Sequence, residues 1–121
     1  MDATYAEDGE NIYSIELNND TDIIAVSAAT GSVIGSLPTI TAKTFYGATE
    51  KNDGDLTASS VGCTRKTGET GRTYTMATTT ANSGSVTFTW RPNGANTTPT
   101  VIKTFTFKKV TSPVDYDLII P

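Results

Sequence analysis

From residue 85 to residue 91 the side chains alternate without a break, with Val86, Phe88 and Trp90 on one side and Thr87, Thr89 and Arg91 on the other. A two-residue period is the signature of a strand with one dry face and one wet face. The same beat recurs along the chain. Tyr13, Ile15 and Leu17 oppose Ser14 and Glu16, and Ile40, Ala42, Thr44 and Tyr46 oppose Thr39, Thr41, Lys43 and Phe45. Tyr74 and Met76 share a face within 72–79, and Phe105 and Phe107 oppose Thr104 and Thr106 within 101–110. No segment of helical period runs longer than two turns.

Turn formers punctuate these runs: Asn18-Asn19-Asp20, Gly31 and Gly35, Asp53-Gly54, Asn82-Ser83-Gly84 and Pro92-Asn93-Gly94. Residues 22–26 form a short strand and 56–62 a weak one, Pro38 opens the run 39–46, and 47–55 and 64–71 are polar loops. Threonine fills about one position in five. It is β-branched and suits a pleated, half-wet surface. About seven short strands in a hundred residues specify an all-β domain, a sandwich or a barrel. Several connections are too long for an up-and-down meander. The expected fold is therefore an immunoglobulin-like antiparallel β-sandwich of about seven strands over 12–110. Residues 1–11 read as a flexible acidic lead-in. Residues 111–121 read as a linker through Pro113 and the start of a following β element, or as a last edge strand of the same domain.

A chain of 121 residues makes one domain of ordinary size. Its net charge of −4 and pI near 4.6 speak against nucleic acid and against anionic membrane surfaces. No apolar stretch reaches the ~20 residues of a membrane span, and the acidic start lacks the basic and apolar regions of a signal peptide.

Histidine is absent and Cys63 is the single cysteine. Zinc, copper and iron sites and the Ser-His-Asp and Cys-His nucleophile arrangements lose their essential residues. Cys63 cannot form an internal disulfide and reads as a buried free thiol. The Asp- and Asn-bearing segments 18–22 and 51–55 have alternating oxygen donors but no glutamate at the spacing of a helical calcium loop, so turn chemistry explains them. Gly68-Glu69-Thr70-Gly71 lacks the Lys-Ser/Thr ending of a phosphate loop. The carboxylates sit in the lead-in, turns and tail rather than at aromatic-lined strand ends, which disfavours glycosidase chemistry. The expectation is a non-enzymatic module without cofactor or metal.

The best region for a contact is Trp90 and the loop after it, with Arg91, Asn93 and Asn96 as the candidate binding residues. Loops on rigid scaffolds often carry binding. An exposed Trp90 would stack on a sugar or anchor a protein. Its shared face with Val86 and Phe88 instead places it in the core, and the loop then reads as a solvated hairpin.

Four segments together carry a resemblance. Residues 12–20 (IYSIELNND) resemble the opening strand of a β-sandwich module repeated in tailed-phage tail-fibre and tail-tip proteins. Residues 41–47 (TAKTFYG) resemble its "T-x-V-Y-x-G" strand, residues 82–90 (NSGSVTFTW) its "D-S-G-x-V-T-V-T-A" strand, and residues 103–109 (KTFTFKK) its closing "K-x-F-x-I-x-K". Order and spacing agree over 12–110, and 114–121 looks like the first strand of a next module. Trp90 stands where a small residue is common, and the 91–100 loop is longer than usual. Bacterial surface immunoglobulin-like repeats share much of this pattern. The resemblance implies a spacer or host-attachment module of a phage tail fibre or other virion appendage, assembled in the bacterial cytoplasm. Its partners would be other virion proteins, with a homotrimer formed through the parent fibre and a host-surface glycan as a further ligand. The alternatives are a carbohydrate-binding module and a repeat of a bacterial adhesin.

Overall fold

The computed structural model describes residues 12–111. Nine strands lie in that span: β1 (Tyr13–Leu17), β2 (Thr21–Val26), β3 (Thr39–Tyr46), β4 (Thr49–Lys51), β5 (Asp55–Val61), β6 (Cys63–Arg65), β7 (Thr73–Thr79), β8 (Ser83–Arg91) and β9 (Val101–Thr111). The acidic lead-in and the segment beyond Thr111 lie outside the described residues. Thr111 itself still belongs to β9 rather than to a linker.

The strands make two sheets. Sheet one has the order β2-β9-β8-β5, and sheet two the order β1-β3-β7-β6, with β4 paired to β3. This is the immunoglobulin arrangement. The first strand is split between the sheets, and the short β3–β4 hairpin is added. All pairs are antiparallel except β2 with β9, which run parallel through six registered pairs from Thr106↔Thr21 to Thr111↔Val26. The strand count rises from the expected seven to nine through two three-residue strands, β4 and β6, both at stretches expected to be loop.

Asn18 explains the split. Its side-chain amide donates to Thr39 O at 3.2 Å, and its Oδ1 accepts from Thr41 N at 2.7 Å. The side chain thus stands in for one more peptide of β1, satisfying the edge of β3 while the backbone turns away to sheet one. Asx side chains are suited to replacing backbone partners in this way.

The core lies between the inner faces. Ile15, Ile40, Ala42, Tyr74, Met76 and Cys63 come from sheet two, and Ile24, Val86, Phe88, Trp90, Phe105 and Phe107 from sheet one. The alternation read from the sequence is the alternation observed. Gly84 faces Phe107 across the β8–β9 ladder. A Cβ there would come within 2.6 Å of the Phe107 ring and 2.1 Å of Val61 O, so only glycine lets that ring lie against β8.

Among the described residues one buried side chain is polar. Thr44 is fully buried. Its hydroxyl accepts from Arg72 Nη1 at 2.6 Å and donates to Lys51 O, while Arg72 Nη2 donates to Lys51 O at 3.2 Å. The hydroxyl is therefore satisfied, and β3, β4 and the start of β7 are tied together.

The outward faces differ. On sheet two Glu16 sits opposite Lys43, and Phe45 opposite Glu50. Across sheet one the outward rows read Thr104–Thr87–Ser59, Ile102–Thr89–Thr57 and Thr21–Thr106–Ser85–Val61.

Candidate functional site

Trp90 is the largest fully buried side chain. Its ring meets Tyr13 edge-on at 5.5 Å, and Tyr13 in turn lies 4.6 Å from Tyr46. Tyr13 and Tyr46 are opposite one another on β1 and β3. The indole N–H donates to Asp53 O at 3.0 Å. Trp90 thus closes the core at one pole and holds the loop between β4 and β5 against the end of β8. Gly54 makes that approach possible. It has φ +86°, and a Cβ there would lie 2.7 Å from Arg91 O and 2.8 Å from Trp90 Nε1. The ring is closed to a ligand in this conformation.

The loop 92–100 emerges beside it. Arg91 is half-buried at the end of β8, opposite Asp55. Asn93 and Asn96 are exposed, with Asn96 at φ 65°, a left-handed conformation that asparagine tolerates. The loop is tied to itself. Asn93 Nδ2 donates to Thr98 O at 3.0 Å, Gly94 N to Arg91 O at 3.0 Å and Thr97 N to Gly94 O at 3.2 Å, and the Thr97 hydroxyl also donates to Gly94 O. The Thr98–Pro99 peptide is cis. Of the four candidate residues, Arg91, Asn93 and Asn96 belong to one solvent-facing loop system. Trp90 anchors it from below and does not join it.

This pole has a second loop. Residues 47–54, with Glu50, Lys51 and Asp53, border an open cavity of about 410 Å³ lined by Thr49, Glu50, Lys51, Asn52 and Asp53. β4 lies within the stretch 47–55 expected to be a polar loop. Its signal was weak, because a three-residue strand is too short for an alternation to register. Two connections meeting at one end of a sandwich make a platform for contacts, rigid below and polar above.

A third loop is more ordered than the sequence suggested. In 64–71 Arg65 Nε lies 3.1 Å from Glu69 Oε1. Glu69 accepts from Thr75 N at 2.6 Å through Oε1 and from the Thr75 hydroxyl at 2.6 Å through Oε2. These bonds from Thr75, with Arg65 alongside, hold the Glu69 carboxyl below the usual carboxylate range. The Arg65 guanidinium lies 5.3 Å from the Tyr74 ring centre. Tyr74 is buried, and its hydroxyl lies 3.5 Å from Cys63 Sγ. Burial, then the Cys63 contact, pushes its phenol up to about 12. Cys63 is itself 6% exposed, so the thiol is part of the core.

Among the described residues no three His, Cys, Asp or Glu side chains group as a metal site. Asp22 lies within β2, where its Oδ1 accepts from Ile23 N at 2.9 Å. No protein-family model, curated protein or solved structure matches this chain.

Proposed function

We propose that this domain is a non-catalytic spacer or host-attachment module of a phage tail fibre or other virion appendage. One observation carries the reading: the described chain enters and leaves the sandwich at opposite poles. Ile12 O accepts from Gly47 N beside the Trp90 pole, where β9 also begins at Val101↔Trp90. β9 then runs 11 residues, about 36 Å at ~3.3 Å each, to Thr111 at the far pole. Modules joined through such ends string out lengthwise rather than folding back. The four-segment resemblance supplies the setting, and the polar platform of Arg91, Asn93 and Asn96 supplies the contact surface. A buried Trp90 weakens the sugar-stacking alternative. The adhesin repeat shares the same end-to-end geometry.

Antibody against the domain, applied both to purified phage particles and to cells of the host that carries the gene, separates these readings. Gold label on the tail or its appendages is the expected result. Label confined to the bacterial envelope overturns the virion reading in favour of the adhesin.

A further inference from the structure

The outward face of sheet one is unlike the rest of the surface. Of the seven exposed large hydrophobic side chains among the described residues, Ile23, Val61, Ile102 and Val110 all lie on it, the first three being 62–69% exposed. Between them runs a field of hydroxyls, among them Ser59, Thr87, Thr104 and Thr106, with Thr87 and Thr104 Oγ1 atoms 3.3 Å apart across β8 and β9. Lys108 is the one charge within the field, while Arg91 and Asp55 face each other at its margin. The opposite sheet sets Glu16 across from Lys43 and adds Glu50 on β4, charges that suit a face turned to water. Exposed aliphatics are ordinary when scattered, and informative when they share a flat uncharged face.

We propose that this face docks a second copy of the same chain, sheet one against sheet one. Hydroxyls donate and accept alike, so a hydroxyl field is complementary to itself, as a two-fold contact requires. Lys108 lies off the centre of the face. A two-fold axis across the strands therefore sets it against neutral partner positions and not against its own copy. Four strands ~4.8 Å apart and about 30 Å of β9 give roughly 600 Å² per copy, about 1,200 Å² in all. That is the lower bound of a standard interface and implies a weak dimer. Face-to-face sheets pack aligned at about −30°. The contact leaves both poles free, so it is compatible with modules strung end to end and does not depend on the virion reading.

Sedimentation velocity of the domain from micromolar concentration to about 1 mM tests this. Reversible dimerisation is expected, with Thr104→Lys weakening it at least tenfold and Thr39→Lys on the other sheet leaving it unchanged. Concentration-dependent amide shifts of the unmodified protein should fall on Ser59, Thr87, Ile102 and Thr104. A monomer throughout, a dimer indifferent to Thr104→Lys, or shifts confined to the 47–54 and 92–100 loops would overturn the proposal.

Discussion

Trp90 joins two functions in one side chain, filling the core end and pinning a loop. Replacing it by Phe keeps most of the packing but removes the bond to Asp53 O and leaves a gap. A loss of about 2 kcal/mol is expected in chemical denaturation. The 47–54 loop should also lose amide-exchange protection. The Trp90 assignment to the core was legible, since Val86 and Phe88 mark its face. Its partner was not, because a backbone carbonyl 37 positions away leaves no residue-type signal. Glu69 was illegible for a similar reason: its value comes from Thr75 N and Oγ1, which a folded loop brings to it. Its lowered pKa means that its contribution to stability is present above the ordinary carboxylate range and fades as pH falls through the folded value. Glu69→Gln should therefore lower the thermal midpoint at pH 7, with the difference from the parent vanishing in strong acid. Tyr74 works with the opposite sign. Its neutral form is favoured by the fold, so that contribution is complete below pH 10 and is lost as pH rises towards about 12. In an absorbance titration of phenolate, Tyr74→Phe should remove the latest-ionising component.

Strands differ in how plainly they announce themselves. β8 and β9 were legible residue by residue, because each carries aromatic side chains on one face and threonines on the other. β6 was hidden in what looked like loop. It has three residues and a bulge between Thr64 and Arg65, so its pattern never completes a period. β2 was expected, but not its sheet. Its parallel partnership with β9 depends on Asn18 ending β1, and no local pattern encodes which strand a neighbour will meet. Gly84 belongs to this scale as well. It looked like a turn residue and proves to be the place where β8 makes room for Phe107. Gly84→Ala should destabilise by about 1–3 kcal/mol through overpacking, read as a lower denaturation midpoint. Gly68→Ala, where no atom stands within 4 Å of the added methyl, would show only the strain of φ +82°.

At the scale of the whole molecule, the parallel β2–β9 pair lies between the incoming and outgoing ends. Tension applied through residues 12 and 111 loads its six registered pairs together in shear. Tension applied through Asn82 and Thr111, both at the far pole, peels β9 from β8 one pair at a time. Single-molecule pulling should give a severalfold higher unfolding force in the first geometry. Equal forces would show that the pair is not what resists extension. The sequence by itself determined that this chain is all-β, which residues face the core, and that the chemistry of histidine and paired cysteines is closed to it. Those follow from side-chain type and a period of two, which are local properties. The tertiary structure decided which strands pair, that the first strand is shared between sheets, and that Trp90 is sealed beneath the loops. It also gathered four distant aliphatic residues and a field of threonines onto one face. These are juxtapositions across tens of residues, set by how two sheets close over a common core, and alternation along a strand carries no information about its neighbours.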